Sequence, residues 1–199
     1  MTGIFLALAS FLQVAAPAGG DRGGPPPAPD VESLSPAERE RLASGEPVVL
    51  PGGGVGRWVQ AVVTVDAAPE EVWAVMVDCP RAAEFVPGLR SCRVLESEGE
   101  TALVEHRSRP SPLLPEMAYV FRERREPFRS IRFRRVSGSL TRLEGRWDLT
   151  KWATGRTLVW YTISMDPGFL VPDWAVRRAL ARDLPELLTA LKRRVEEGD

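Results

Sequence analysis

From Val171 to Glu197 the chain writes one sustained amphipathic pattern. Val176, Leu180, Leu184, Leu187, Leu188, Leu191 and Val195 recur at three- and four-residue steps, which lays apolar side chains along one stripe of an α-helix. Arg177, Arg178, Arg182, Glu186, Lys192, Arg193 and Glu197 fall on the opposite side. Asp173 is placed to act as N-cap, and Lys192, Arg193 and Arg194 lie where the helix dipole favours cations. Pro185 lacks an amide donor and crowds the preceding turn, so a kink is expected there rather than a stop. Each buried leucine contributes about 1.5–3 kcal/mol. A stripe this long is stable only against a broad apolar partner, and that demand governs how the preceding residues read.

The partner is written with period two. Trp58–Val65 reads as a strand, with Val59, Ala61, Val63 and Val65 on its more apolar side. Pro69-Glu70-Glu71 opens a helix to about Val77, and Pro80–Phe85 gives a second short one. Six strand-like segments follow: Leu89–Ser97, Thr101–Arg109, Glu116–Arg125, Ser130–Val136, Leu140–Lys151 and Arg156–Met165. Gly- and Pro-containing breaks this short imply hairpins and an antiparallel meander. Tyr119 and Phe121 alternate with Arg122 and Arg124, and Ile131 and Phe133 with Arg132 and Arg134. Trp147 and Leu149 share a face, as do Val159, Tyr161 and Ile163. A sheet with one greasy side must cover it, and the terminal helix is the available cover. The expected class is α+β: a seven-stranded antiparallel sheet curved around a long C-terminal helix, with two short helices after the first strand.

Within this frame, Val65-Asp66-Ala67-Ala68-Pro69-Glu70-Glu71-Val72-Trp73 and Glu84-Phe85-Val86-Pro87-Gly88-Leu89-Arg90-Ser91-Cys92-Arg93-Val94-Leu95 are familiar words. So are Gly145-Arg146-Trp147-Asp148-Leu149 and the final helix led by Pro172. Together they resemble the START-like helix-grip superfamily, above all its coenzyme Q-binding and polyketide cyclase/dehydrase-type members, over roughly residues 55–197. The resemblance implies a hydrophobic cavity between sheet and helix that takes a lipid, quinone, sterol or polyketide. It implies no particular chemistry, because a fold does not fix an activity. The cavity wall expected from strand and helix faces comprises Val104, His106, Tyr119, Phe121, Phe133, Trp147, Tyr161, Leu180, Leu184 and Leu188. Trp73, Phe85 and Trp174 serve either core or cavity. Leu113 and Leu114, between prolines, and Phe169 and Leu170, before the last helix, are expected at the cavity mouth. There they either pack locally or touch a membrane or ligand.

Ahead of the domain, the expected boundaries are residues 1–18 as a signal peptide, 19–47 as a Gly/Pro-rich linker with a short helix, and 48–199 as the domain. Ile4–Ala16 is almost wholly apolar and ends in Ala16-Pro17-Ala18, a small-x-small cleavage pattern that points to export, periplasmic or secreted. If this apolar start is not a signal, the chain is expected in the cytoplasm. Pro25-Pro26-Pro27 centres a segment too poor in apolar residues to bury a core. Ser35-Pro36-Ala37-Glu38 has capping-box form and predicts a helix over 36–44. The run Gly52-Gly53-Gly54-Val55-Gly56 precedes a strand and opens no helix, so it is a turn and not a phosphate loop. Cys79 and Cys92 are either joined in one disulfide, as export would allow, or two free thiols.

Chemistry is sparse. His106 is the sole histidine. It shares a strand face with Val104 and lacks a neighbouring motif to make it a general acid or base, so it is at most a weak catalytic candidate, of cyclase or dehydratase type. No cofactor signature, metal-ligand spacing or nucleophile elbow is present. A net charge of −1 gives no bulk attraction for nucleic acid. Locally, residues 107–146 hold 11 Arg against 4 Glu. That run is either a solvated outer face or a weak attractor of anionic lipid. The expected partner is one hydrophobic small molecule, with transient membrane contact possible for a monomeric carrier.

Overall fold

A computed structural model describes residues 24–50, 57–109, 116–168 and 171–198. The apolar start Ile4–Ala16, the Gly52–Gly56 turn and the loop residues Leu113, Leu114, Phe169 and Leu170 lie outside the described residues. After a 3₁₀ turn at Val31–Ser33 come α1 (Pro36–Ala43), β1 (Val48–Val49), β2 (Val59–Val65), α2 (Pro69–Val77) and α3 (Cys79–Phe85). Then follow β3 (Leu89–Glu98), β4 (Thr101–Ser108), β5 (Met117–Glu126), β6 (Ser130–Gly138), β7 (Arg142–Ala153), β8 (Arg156–Asp166) and α4 (Asp173–Glu197). The strands form one antiparallel sheet in the order β1-β2-β8-β7-β6-β5-β4-β3. The seven expected strands are therefore eight. The addition, β1, pairs only Val48 with Val62 and Val49 with Ala61, too short to leave a periodic signal.

Local chemistry sets the helix starts. Glu38 accepts the Ser35 amide at 2.7 Å while Ser35 Oγ accepts the Glu38 amide at 3.3 Å, closing the capping box of α1. At α2, Pro69 takes the first turn and Glu71 accepts the Ala68 amide at 2.8 Å. α4 begins at Asp173 with Pro172 in the N-cap place, so Asp173 opens the helix rather than capping it. The helix runs on through Pro185. Leu184, Leu188 and Leu191 are buried against the inner residues Val59, Ala61 and Val63 of β2. At its far end Lys192 donates to the Thr64 carbonyl at 3.0 Å and pairs with Glu196 at 2.6 Å, pinning α4 to the end of β2.

One correction concerns the segment before the domain. Residues 19–34 were expected to bury no core, yet Leu34, together with Leu42 of α1, is buried with Val48, Val62, Leu158 and Trp160 on the sheet face turned away from α4. Gln60 donates to the Pro27 carbonyl at 3.4 Å, and Thr64 Oγ1 donates to the Leu42 carbonyl at 2.6 Å. Two apolar anchors and these bonds suffice to hold a segment whose average composition is linker-like. They also explain why every residue of β2 is buried. Leu42→Ala should lower the urea unfolding free energy of the full chain by about 2–5 kcal/mol. A loss below about 0.5 kcal/mol, as for a surface position, would mean that this segment is not part of the folded unit.

Candidate functional site

The inner face of the sheet is wider than α4, and beside the helix lies a cavity of about 250 Å³. β4 contributes Val104 and His106, β5 contributes Tyr119, Phe121, Glu123 and Arg125, and β6 contributes Ile131 and Phe133. Leu143 and Trp147 of β7 and Tyr161, Ile163 and Met165 of β8 continue the wall. Met76 and Val77 of α2, Ala82 and Phe85 of α3, and Leu187 and Leu191 of α4 close the other side.

An aromatic chain crosses this wall from strand to strand. His106 meets Phe121 edge-on at 4.8 Å, Phe121 meets Phe133 at 6.0 Å, and Phe133 meets Tyr161 at 6.1 Å. Tyr161 stacks on Trp147 with centroids 3.7 Å apart and planes 11° from parallel. Room for Phe133 is made by Gly145 directly across the β6–β7 ladder. A Cβ at Gly145 would stand 2.5 Å from Phe133 Cζ, so only glycine fits. Cys79 and Cys92 form a disulfide, Cα atoms 5.3 Å apart, that ties α3 to β3 in the cavity wall.

Seven of the ten residues expected on the wall line the cavity: Val104, His106, Tyr119, Phe121, Phe133, Trp147 and Tyr161. The three helix residues do not. Leu184 and Leu188 are buried against β2, and half-buried Leu180 packs on the same core. The central line of the α4 stripe serves cohesion, and its flank, Leu187 and Leu191, meets the cavity. The periodicity located the stripe but not the rotation of the helix about its axis. Also missed were Glu123 and Arg125. Strand parity carries them, since residues 119, 121, 123 and 125 alternate onto one face.

Glu123 and Arg125 are the polar feature of an otherwise greasy wall. Arg125 Nε donates to Glu123 Oε2 at 2.9 Å, and Nη2 lies 2.8 Å from the same oxygen. Burial pushes the Glu123 carboxyl above its ordinary range, against the pull of Arg125. Burial likewise raises Tyr119, opposed by a hydrogen bond with Ser108, and raises Tyr161, with Tyr119 adding to it. His106 makes no hydrogen bond or ion pair among the described residues. Burial depresses its pKa from 6.5 to about 4, so the ring is neutral near pH 7.

A family model described as polyketide cyclase / dehydrase and lipid transport matches residues 65–192. The chain belongs to that family. Solved structures agree on the fold. The Zhui aromatase/cyclase from Streptomyces sp. R1128 is 22% identical, with a TM-score of 0.60 over 69% of this chain and 94% of its own. A START superfamily protein from Mycobacterium smegmatis is 18% identical, with a TM-score of 0.62 over 70% and 97%. A STAR-related lipid transfer protein from Xanthomonas axonopodis is 18% identical, with a TM-score of 0.61 over 75% and 92%. A search of curated proteins found no match. The helix-grip class expected from the strand pattern is thereby established.

The buried histidine sets a pH dependence. Between pH 6.5 and about 4 the unfolded chain binds a proton at His106 that the folded chain refuses, so stability falls as pH drops through that window. At about 1.4 kcal/mol per pH unit, the full loss is on the order of 3 kcal/mol. Urea titrations at stepped pH should show this slope in the wild type and a much flatter one in His106→Leu. Identical slopes would assign the proton to another group.

Proposed function

We propose that the protein binds one amphipathic small molecule in this cavity, as a carrier rather than a catalyst. The observation that carries the reading is an apolar cavity with a half-buried ion pair on one wall. A buried pair rarely stabilises a fold better than apolar residues of the same size would, because both charges are desolvated. Glu123 and Arg125 have a clear use if a guest brings a polar end to them: a hydroxyl, carbonyl or acid takes a hydrogen bond from Arg125 while the apolar body lies along Phe121, Phe133, Tyr161 and Leu187. Neutral His106 offers a further donor or acceptor. Lipids, quinones and polyketides all fit that description.

Two points favour carriage over cyclase or dehydratase chemistry. A histidine with a pKa near 4 is a weak base at neutral pH, and its near neighbours Tyr119 and Phe121 are aromatic. Export is the proposed setting, supported by the Cys79–Cys92 bridge and by the apolar run at residues 4–16.

Organic extracts of the natively purified protein, read by mass spectrometry, should yield a single compound class with one polar end. Arg125→Met should reduce its occupancy roughly tenfold, the worth of one charge-assisted hydrogen bond. A protein that yields no compound and fails to take up a fluorescent apolar probe would defeat the proposal. Turnover of a polyketide substrate abolished by His106→Ala would favour the catalytic alternative.

A further inference from the structure

The sheet face turned away from the cavity carries arginines in register. Across β5 and β6, Arg122 stands directly opposite Arg134 and Arg124 opposite Arg132. Across β6 and β7, Arg132 stands opposite Arg146. Directly opposed residues hold their Cβ atoms about 4.5–5.5 Å apart, and like charges in that position repel. Arg122, Arg124, Arg132 and Arg134 are all exposed.

The carboxylates nearby do not balance this grid. Glu126 lies 3.8 Å from Arg132, and Asp148 pairs with Arg146. Glu144, opposite Arg134, is held by Arg57 at 2.6 Å. Glu96 and Glu98 border the hollow beside Arg122. Among the described residues neither Arg122 nor Arg124 makes an ion pair. On neighbouring β4 the pattern differs, since Glu105 sits between Arg93 at 3.1 Å and Arg107 at 3.9 Å. Arg122 and Arg124 of β5 therefore carry charge that no ion pair among the described residues offsets.

We propose that this outer face docks on an anionic lipid surface. Guanidinium groups recognise phosphate well, and here they are spread over adjacent strands instead of converging on one point. Such a layout suits many separate headgroups better than one bound anion. A nucleic acid is the poorer fit. The rings of β4–β6, namely His106, Tyr119, Phe121 and Phe133, line the cavity on the other side, so bases would find no stacking platform among these arginines. The chain also joins the described structure at this place: Gly24 and Pro25 border the same hollow as Arg122, Arg124, Arg132 and Arg134. Docking through this face leaves α4 and the cavity free, so surface binding and guest binding are separable.

The test is flotation of the processed protein, residues 19–199, with vesicles of phosphatidylcholine alone and of phosphatidylcholine mixed with phosphatidylglycerol. Wild type should float only with the mixed vesicles and release at high salt. Arg122→Gln/Arg124→Gln should weaken that binding at least about tenfold, while uptake of an apolar probe by the cavity is kept. Arg178→Gln/Arg193→Gln, which removes the same charge from the exposed side of α4, should bind vesicles as wild type does. Equal binding to both vesicle types, an equal loss in the α4 variant, or preferential binding to a single-stranded oligonucleotide would each overturn the proposal.

Discussion

One mismatch of widths governs this molecule. An α-helix is about 10–12 Å across and strands lie about 4.8 Å apart, so a single helix shields only two or three strands. The sheet has eight. α4 settles over β2, where Leu184, Leu188 and Leu191 meet a strand buried along its whole length. The inner faces of β4 to β7 are left to other covers, the short helices α2 and α3 and the flank of α4. These roof the apolar wall without filling it. The cavity follows from covering a wide curved sheet with one long helix and two short ones.

What lines the uncovered part decides what the space is for. Apolar side chains alone would make a void with no preference among guests. Here the wall also holds Glu123 and Arg125, bonded to each other at 2.9 Å. Their mutual bond answers part of the desolvation of both and leaves further guanidinium donors for a guest. In an apolar enclosure each unmade hydrogen bond weighs more than in water, so such a pair discriminates among guests of similar shape by their polar ends. The neutral ring of His106, without a hydrogen-bond partner among the described residues, is another of the few polar groups on this apolar wall.

The architecture was legible because its signals are periodic. Leucines at three- and four-residue steps marked α4, and alternation marked β2 to β8. β1 was illegible because two residues cannot alternate. The packing of residues 24–47 was illegible because Leu34 and Leu42 are single anchors in a stretch whose composition is that of a linker. On the cavity wall, strand residues were recoverable because parity fixes which side of a sheet a residue faces. Helix residues were not, because a stripe spanning more than 100° does not say which of its flanks will meet the sheet. Glu123 and Arg125 were legible in principle. Charged residues at the inward parity of a strand that begins Tyr119, Phe121 are the signal, and it is a local contradiction of the hydrophobic pattern.

β5 concentrates these arguments in ten residues. Its inward positions run Tyr119, Phe121, Glu123, Arg125, and between them Arg122 and Arg124 face out. One strand therefore builds part of the guest's wall and part of the basic outer face, separated only by the thickness of the sheet. A slip of a single residue would drive Arg122 and Arg124 into the cavity and expel Phe121. The structure guards against that slip on both sides. Toward β4 the pairing is continuous from Thr101↔Arg124 to Ser108↔Met117. Toward β6 one extra residue, Val136, is taken up between Phe121↔Arg135 and Val120↔Ser137, after which Gly138 passes close beneath Ala118 and Tyr119. Gly138 has φ +104, and a Cβ there would stand 2.5 Å from the Tyr119 Cα. The bulge and this glycine together hold Tyr119 and Phe121 in their inward register, and so they also hold Arg122 and Arg124 on the outside.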